Sequence, residues 1–513
     1  MLKNPRRLLY LLAVIRFILP FILQNSYYQP HRDEFLYLAE GHHMAWGYME
    51  VPPLLSVFAW LTNLLGGGLF WIKLWPALFG SFTFLLVGNM ILSLGGKHFA
   101  LVLGWLPFTI DGYLRLFFLF QPNFLDVFFW TAMAFSLLRF VQTRKNTWLY
   151  YFGISAGLGM MSKYSVAFYA VSLAAGLLLT KQRSVFLHKH FWFASLAAVV
   201  IFLPNIFWQY NHRFPVIHHM SELQQEQLQY NDATDFLISQ LMMNLPCVFI
   251  WMAGLYFVLV KKAGKPFYFI AWAFVLVITL LIVLRGKDYY ALGAYPVLFA
   301  FGAYHLEQAT QARLKFLRYA MLVFSLGLGI FSLPLILPVF KPAQLVRYYE
   351  KTGLSKTGSF KWEDLHYHPL PQDFADMIGW REMAMKAGAV YNSLSPEERK
   401  RTAVYCRGYY SAGALNYFRQ EAGLPEVISD NASFLLWMPD RINIKNLLLV
   451  AQSIPEKDDI VFQQFEKMTI RDSVEIPLFR ENGMRFILFE NGNDSLNSFI
   501  EKSIATLKRQ YMR

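Results

Sequence analysis

Charged residues are scarce in this sequence. Asp, Glu, Lys and Arg make up only 16% of its 513 residues, whereas hydrophobic residues make up 56% and the mean hydropathy is +0.32. Chains that fold in water usually carry about 25% charged residues. A water-soluble protein could not bury this much apolar surface, so the composition predicts an α-helical polytopic membrane protein.

Cysteine is also rare, and several familiar site motifs are missing. Cys247 lies in an apolar run, so a disulfide with Cys406 is not expected, and two thiols are too few for a metal–thiolate site. The sequence has no P-loop, no dinucleotide-binding glycine pattern and no G-x-S-x-G motif, so an ATP-driven pump or a serine hydrolase gains no support. The scattered histidines lack a metal-binding helical spacing, so no metal ligands are assigned. No cofactor is certain, and a divalent metal stays possible.

Basic residues outnumber acidic ones, and the net charge is +13. The cations do not form one run with interleaved aromatic residues, so a nucleic-acid partner is not expected. They recur in small clusters between apolar stretches, which is typical of the cytoplasmic loops of a membrane protein. Membrane lipids are therefore the expected surroundings.

Apolar stretches of membrane-spanning length recur up to residue 340. A bilayer core needs about 17–25 apolar residues in a helix, and several stretches have that length. The first is retained rather than cleaved, because Arg16 interrupts it and no small-x-small cleavage site precedes the polar segment. The sequence predicts about eleven spans, near 8–24, 69–94, 99–119, 123–140, 147–161, 165–180, 190–208, 237–260, 267–284, 289–306 and 316–340.

The cations of the loops predict the orientation. Roughly sixteen lie in one set of alternate loops and five in the other, and the richer set is expected in the cytoplasm. The N-terminus is therefore predicted to be cytoplasmic and the C-terminus outside, provided that 147–180 crosses twice. The richer set is Lys3, Arg6, Arg7, Lys97, Arg139, Arg144, Lys145, Lys181, Arg183, Lys189, Lys261, Lys262, Lys265, Arg313, Lys315 and Arg318, and the other is Arg32, Lys163, Arg213, Arg285 and Lys287.

Residues 341–513 differ in composition from the rest of the chain. Apolar runs become short, and charged residues, Pro and Asn appear between them. The residue pattern predicts strands at 401–406, 447–452 and 484–489 and a helix at 411–421. We therefore expect a transmembrane domain at 1–340, with a first outer loop at 25–68, and a small C-terminal α/β extracytoplasmic domain at 341–513.

The densest group of ionisable residues follows the first span. Asp33 and Glu34 form an acidic pair, and a helix over 33–43 would bring Asp33, Tyr37 and Glu40 to one face. Adjacent acids at the point where a chain leaves a span are well placed to supply a general base. The alternative is a solvated amphipathic loop.

Two further acids have both a local structural explanation and a functional one. Glu50 precedes Pro52-Pro53, which can stop one helix and begin the next. Asp126 lies one turn inside a predicted span, where Asn123 could cap the helix and the helix N-terminus favours an anion. Each acid is either a turn or helix-end residue, or part of a site that justifies a costly charge near the membrane.

Cations also lie near the outer ends of predicted spans. Lys163 separates two short apolar runs, and Arg285 and Lys287 are followed by the pair Tyr289-Tyr290. Cations with tyrosines at the outer interface could grip a lipid phosphate. They could equally form an ordinary belt of snorkelling and aromatic side chains.

Together these segments resemble the polytopic GT-C glycosyltransferases of the family 39 type, which include protein O-mannosyltransferases and the bacterial aminoarabinose transferases of lipid A. The most specific match is Asp33-Glu34-x-x-Tyr37 followed by Gly47-Tyr48-Met49-Glu50-Val51-Pro52-Pro53-Leu54. Weaker matches follow in order at 75–80, 162–165, 204–208, 287–290 and 295–296, and the resemblance covers most of 8–310. The family often has His or Lys directly before Pro-Pro, where this chain has Val51.

The resemblance implies an inverting transfer of a sugar from a polyprenyl-phosphate donor to a glycolipid, protein or cell-envelope glycan outside the cytoplasmic membrane. It also implies that Asp33 is the general base, that Glu34 shapes the same site and that Asp126 is the family's second acidic residue. The C-terminal domain would help to bind or select the acceptor. The candidate substrate-binding residues are Tyr37, Tyr48, Glu50, Lys163, Arg213, Lys287 and Tyr289.

Three other functions compete with this one. A lipid or sugar transporter would show pseudo-repeated spans with broken helices, and no repeat stands out in the sequence. An oligosaccharide ligase tends to carry one very long outer loop, whereas the longest here after the first is only 209–236. A non-catalytic scaffold would leave Asp33, Glu50 and Asp126 unexplained.

Overall fold

The computed structural model describes residues 4–311, 314–456 and 459–511, most of which are helical. Lys3 and Arg313, two of the cations used to predict the orientation, lie outside the described residues. The α-helices before residue 310 are α1 (Pro5–Leu23), α2 (Arg32–Glu40), α3 (Leu54–Leu64), α4 (Leu69–Ser93), α5 (His98–Trp105), α6 (Pro107–Ile110), α7 (Gly112–Leu116), α8 (Asn123–Thr143), α9 (Thr147–Met160), α10 (Val166–Leu178), α11 (Lys189–Asn211), α12 (Pro215–Glu226), α13 (Ala233–Met242), α14 (Val248–Val260), α15 (Tyr268–Val283) and α16 (Pro296–Ala309). Short 3-10 helices lie at Lys181–Leu187, Leu228–Tyr230, Leu245–Cys247, Lys262–Phe267 and Asp288–Ala294.

Helical segments occupy each of the predicted span regions, but their lengths differ. Among the described residues, five helices are long and apolar enough to cross a membrane, and a sixth span results if one bent pair of helices counts as one. The fold is polytopic, and the figure of about eleven spans stays a prediction. The five are Leu69–Ser93, Asn123–Thr143, Lys189–Asn211, Lys262–Val283 and Phe316–Ile336, and the bent pair is Ala233–Met242 with Leu245–Val260.

Two predicted spans are broken at identifiable residues. The region 99–119 divides into α5, α6 and α7, with Pro107 at the start of α6 and an extended Asp111 before α7. The carboxylate of Asp111 accepts the N–H of Gly112 at 3.1 Å. The segment around Pro246 separates α13 from α14, whose axes differ by 64°. Proline explains such breaks because it removes a helical hydrogen bond and clashes with the preceding turn.

The first outer loop contains two short helices. α2 begins with a capping box, in which Nδ1 of His31 accepts the N–H of Asp33 at 3.2 Å and the Glu34 carboxylate accepts the N–H of His31 at 2.8 Å. Pro52-Pro53 precedes α3 as the sequence predicts, and Pro53 is its N-cap. The capping box fixes Asp33 in the first turn of α2.

The remainder of the chain carries more helices and a five-stranded sheet. The predicted strands are found at β1, β3 and β5, and the predicted helix at 411–421 corresponds to α22 and α23; β2 and β4 were not predicted. The helices are α17 (Phe316–Ile336), α18 (Pro342–Thr352), α19 (Gln372–Ala375), α20 (Trp380–Asn392), α21 (Pro396–Lys400), α22 (Tyr409–Tyr417), α23 (Arg419–Ala422), α24 (Phe434–Trp437) and α25 (Leu496–Tyr511). The strands are β1 (Thr402–Cys406), β2 (Val427–Ile428), β3 (Asn446–Ala451), β4 (Phe465–Ser473) and β5 (Arg485–Gly492).

The sheet has the strand order β2-β1-β3-β5-β4. β1 is parallel to β2 and β3, and β5 is antiparallel to β3 and β4. Val404 of β1 is paired with Leu448 of β3, which is paired with Leu488 of β5. These three residues are buried in one hydrophobic core together with Tyr28 and Phe35 of the first outer loop. The sheet therefore packs against the loop that carries Asp33.

Candidate active site

Asp33 lies where the first outer loop, the start of α8 and the C-terminal domain meet. Its side chain is 31% exposed. The Tyr409 hydroxyl donates a hydrogen bond to Oδ1 at 2.8 Å, and the Gln121 amide nitrogen donates to Oδ2 at 3.2 Å. Nε of Arg32 lies 3.9 Å from Oδ1. The carboxylate is thus held from two sides and still reaches solvent.

The surroundings of Asp33 favour its ionised form. Burial by itself would raise the pKa of Asp33, but the neighbouring His31 and Arg32, the hydrogen bond from Tyr409 and the charge of Lys287 lower it, and the net result is a pKa below the ordinary value. Burial lowers the pKa of His31, which makes that ring mostly neutral, so we regard Arg32 and Tyr409 as the more important contributors. An ionised carboxylate is the state that a general base needs.

Glu34 is buried, and both of its carboxylate oxygens accept hydrogen bonds from the protein. Its two oxygens accept hydrogen bonds from Nζ of Lys73 at 2.6 and 2.8 Å, from the N–H of Phe120 at 2.6 Å and from the N–H of His31 at 2.8 Å. Such an arrangement offsets the cost of burying two charges. Glu34 therefore anchors α2 to α4 and to the segment before α8, and any catalytic role for it stays a prediction.

A chain of hydrogen bonds joins Asp33 to a cation. The Gln121 amide nitrogen donates to Asp33, the Asn123 amide nitrogen donates to the Gln121 oxygen at 3.0 Å, and Nζ of Lys163 donates to the Asn123 oxygen at 2.6 Å. The chain connects α2, the start of α8 and the break between α9 and α10. An acid that could take a proton and a cation that could meet a phosphate thus belong to one network.

Asp126 lies beside this network, one turn into α8. It is buried, and the Ser165 hydroxyl donates to its Oδ1 at 3.0 Å. The prediction that Asn123 caps this helix is wrong, because Pro122 is the N-cap and Asn123 is already helical. The side chain of Asn123 instead serves Lys163 and Gln121, which a residue at the cap position would reach less well.

Tyrosines and a second lysine surround Lys163. Its Nζ lies 4.1 Å from the ring centre of Tyr290 and 5.5 Å from that of Tyr289, which is the geometry of cation–π contacts. Lys287 precedes these tyrosines, and its Nζ lies 3.7 Å from a carboxylate oxygen of Glu363 in the C-terminal domain. The structure therefore brings the predicted residues Lys163, Lys287 and Tyr289 close to one another.

The candidates Tyr48 and Glu50 contact other parts of the protein. The Tyr48 hydroxyl donates to backbone carbonyl oxygens within the first outer loop, among them that of Glu40 at 3.1 Å. Glu50 accepts hydrogen bonds from the N–H and the hydroxyl of Ser433 at 2.8 and 2.6 Å. Both residues fix the loop, internally and to the C-terminal domain, so their proposed substrate contacts remain predictions.

Of the two remaining candidates, Tyr37 lies near Asp33 in α2, whereas Arg213 lies on a different segment, after α11. Tyr37 lies one turn beyond Asp33 in α2, and burial followed by the nearby charge of Asp33 raises its pKa, so its hydroxyl stays protonated. Arg213 is exposed after α11. No hydrogen bond or ion pair recorded among the described residues joins its side chain to Asp33 or Lys163.

One cluster has the spacing of a possible metal site. The ligand atoms of His31, Asp373 and Asp376 lie within 4.8 Å of one another. Arg115 is already paired with Asp373, and Arg480 is paired with Asp376 at 3.1 Å. Nδ1 of His31 accepts a backbone N–H, so the proton of the neutral ring belongs on Nε2, the atom that faces the carboxylates. Both carboxylates therefore already have arginine partners and Nε2 of His31 carries a proton, so these residues fit a metal site poorly.

Four residues that contact Asp33 were not candidates from the sequence, namely His31, Arg32, Gln121 and Tyr409. Gln121 and Asn123 flank a proline directly before a span, and that polar pair at a span end was a usable signal. Tyr409 is 376 residues from Asp33 and carries no motif, so only the fold reveals it.

Known proteins resemble this chain in both sequence and fold. The family model for dolichyl-phosphate-mannose-protein mannosyltransferases matches residues 50–208. The structure of ArnT from Cupriavidus metallidurans bound to undecaprenyl phosphate superposes with a TM-score of 0.61 over 94% of this chain and 97% of that one, at 12% identity. The chain therefore resembles the GT-C glycosyltransferases. The apo structure of the same ArnT superposes with a TM-score of 0.59 at 12% identity, over 94% of this chain and 97% of that one.

A sequence relative adds to the family evidence. The lipid A galacturonosyltransferase RgtD from Rhizobium johnstonii is 24% identical over 198 residues. The match covers 37% of this chain and 41% of RgtD, so the chain spans less than half the length of that relative. The predicted resemblance to GT-C glycosyltransferases is therefore confirmed.

Proposed function

We propose that this protein transfers a sugar from a polyprenyl-phosphate donor to a hydroxyl group of an acceptor. The observation that carries the proposal is the link between a partly exposed, ionised Asp33 and the ammonium of Lys163 through Gln121 and Asn123. A base for the acceptor and a positive charge for the departing phosphate are the two groups that such a transfer needs. The sugar–phosphate bond is already activated, so no nucleotide is required.

The roles follow from the positions of the groups. Asp33 accepts the proton of the acceptor hydroxyl as its oxygen attacks the anomeric carbon of the sugar. The bond between that carbon and the phosphate oxygen breaks, and the electron pair stays on the phosphate. Lys163 stabilises the developing negative charge, and Lys287 helps to bind the donor phosphate. A single displacement of this kind inverts the anomeric centre.

The donor and acceptor classes rest on the relatives. The ArnT structure holds undecaprenyl phosphate, which supports a polyprenyl-phosphate carrier here. The name of RgtD refers to lipid A, so a glycolipid is the first acceptor to test, ahead of a protein or a cell-envelope glycan. We further propose that the protein lies in the cytoplasmic (inner) membrane with its N-terminus inside and its C-terminal domain outside, because the loop cations are asymmetric.

Asp33→Asn tests the function. The isosteric amide keeps the size of the side chain but cannot take a proton, so we expect transfer to fall by about 10²–10⁴-fold. Purified protein would be incubated with a panel of polyprenyl-phosphate sugars and lipid acceptors, and released polyprenyl phosphate would be measured by mass spectrometry. Thermal unfolding in detergent should hardly change.

Asp494→Asn is the matched control, since Asp494 is fully exposed and paired only with Lys445 at 3.3 Å. It should transfer sugar at the wild-type rate. If Asp33→Asn also transferred sugar at nearly that rate, Asp33 would not be the base. If wild-type protein released no polyprenyl phosphate from any donor of the panel, the proposed donor class would be wrong.

A further inference from the structure

The C-terminal domain reaches the carboxylate that we propose as the base. Tyr409 is the first residue of α22, directly after β1 and Gly408. Its hydroxyl donates to Oδ1 of Asp33 at 2.8 Å, and its N–H donates to the side chain of Asn431 at 3.2 Å. The tyrosine is therefore held at both its backbone and its hydroxyl group.

A close contact between helices fixes the distance between Tyr409 and Asp33. α22 packs against α2 at Gly413, where an added Cβ would lie 2.8 Å from Cβ of Phe35. Only glycine permits this approach without displacing α2. Asp33 and Tyr409 lie at the N-terminal ends of these two helices, so the packing brings their side chains together.

Arg32 strengthens the same contact. Its guanidinium lies 4.4 Å from the ring centre of Tyr410 and 5.7 Å from that of Tyr409. The N–H of Arg32 also donates to the carbonyl oxygen of Asp376 at 3.0 Å. The residue before the base is thus bound to the C-terminal domain by both its side chain and its backbone.

We propose that Tyr409 is a positioning residue that orients Asp33 and keeps it ionised for catalysis. The inference rests on the proposed function. A hydroxyl that donates to an ionised carboxylate stabilises the charged form and fixes its rotamer. One lone pair of each oxygen then stays free for the acceptor hydroxyl. The C-terminal domain would in this way supply part of the active site as well as a surface for the acceptor.

The charged and titratable groups around Asp33 determine what removal of the hydroxyl should do. His31, Arg32 and Tyr37 approach from its own segment, Lys287 from the loop after α15 and Tyr289 from the 3-10 helix that follows. Asp376, directly after α19, and Tyr409 of α22 approach from the C-terminal domain. The Tyr409 hydrogen bond lowers the pKa of Asp33, so its loss should raise that pKa. The acid limb of the rate profile should then move to higher pH.

Tyr409→Phe tests the inference, because it removes the hydroxyl and keeps the ring beside Arg32. We expect kcat to fall about tenfold on the acid side of the profile, with recovery as pH rises and with KM for the donor unchanged. Tyr405→Phe is the matched control, because it removes a similar hydrogen bond to Asp430 at 2.7 Å in the same domain. It should leave the profile unchanged.

Combination with Asp33→Asn separates the possible outcomes. In the Asp33→Asn background, Tyr409→Phe should cause no further loss. An unchanged pH profile for Tyr409→Phe, or an equal loss at every pH, would overturn the positioning role while an inactive Asp33→Asn variant upheld the base. An active Asp33→Asn variant would instead overturn the proposed base itself. A lower unfolding temperature for Tyr409→Phe would not obscure the result, since the assay is run below that temperature and the shape of the profile decides.

Discussion

Glu40 shares a face of α2 with Asp33, but its pKa is shifted in the opposite direction. It is fully buried, and both carboxylate oxygens lack a hydrogen-bond partner among the described residues. Burial, and then the charge of Glu50, raise the pKa of Glu40 well above its ordinary value. The surroundings thus shift the pKa values of two acids, seven residues apart on one helix, in opposite directions.

This difference makes stability depend on pH. A carboxyl whose pKa is higher in the folded state than in the unfolded state contributes stability that is fully present below the unfolded pKa, about 4.3 for Glu. The contribution is lost as pH rises towards the folded pKa. We therefore expect Glu40→Gln to raise the melting temperature in detergent by roughly 1–3 °C at neutral pH, with the gain vanishing near pH 4.

Glu397→Gln provides a comparison, since Glu397 is exposed in α21. Its melting temperature should follow that of the wild type at each pH. A drop in stability for Glu40→Gln at neutral pH would mean that Glu40 is charged and has a partner in the folded protein.

Among the elements, the break between α9 and α10 and the 3-10 helix at Asp288–Ala294 bring two lysines to the same region. Lys287 pairs with Glu363 of the C-terminal domain, whereas Lys163 belongs to the hydrogen-bond chain that ends at Asp33. Substitution of the two lysines should therefore change KM and kcat in different ways.

We expect Lys287→Ala to raise KM for the lipid donor about tenfold with little change in kcat, because a uniform binding contact is lost. Lys163→Ala should lower kcat as well, since Asn123 and Gln121 would lose their anchor. Steady-state kinetics with a fixed acceptor would measure both. Lys467→Ala is the control, because Lys467 is exposed on the C-terminal sheet, where it pairs with Glu490 at 2.9 Å. Equal kinetic effects of the two lysine variants would argue against separate roles.

The sequence predicts individual elements well where one local cause controls them. Apolar runs define the membrane helices, and the buried strands β1 and β3 stand out as short apolar runs. β4 was not predicted because it is an edge strand, most of whose residues are exposed or only half-buried. The prediction that Asn123 caps α8 was wrong. The Asn123 side chain contacts Lys163, 40 residues away, and this contact outweighs the usual preference of Asn for the N-cap position.

The same distinction between local and long-range causes applies to the residues of the candidate site. Asp33, Asp126 and the lysines could be predicted because a charge near a membrane needs a reason and because short motifs mark them. Tyr409 could not, because its contact with Asp33 depends on how the C-terminal sheet and α22 pack on the first outer loop. Long-range side-chain contacts of this kind leave no local pattern in one sequence.

At the scale of the whole molecule, the orientation in the membrane is the feature most open to test. Lys145 and Thr357 are both exposed and lie on opposite sides in the predicted topology. We expect an impermeant maleimide to label Thr357→Cys in intact cells and Lys145→Cys only after lysis. The natural cysteines Cys247 and Cys406 are buried, so the wild type should give little background. The reverse labelling pattern would contradict the orientation.

The hydrogen bond between Asp33 and Tyr409 can form only late in synthesis of the chain. The two residues are 376 positions apart in the chain. At a synthesis rate of about 5–20 residues per second, roughly 20–75 s pass between the appearance of the acid and that of the tyrosine. During that interval α2 is made but Phe35 has no sheet to pack against. A nascent chain therefore carries its membrane helices well before it carries a complete active site, and assembly of the last domain is the step that makes the newly inserted protein competent.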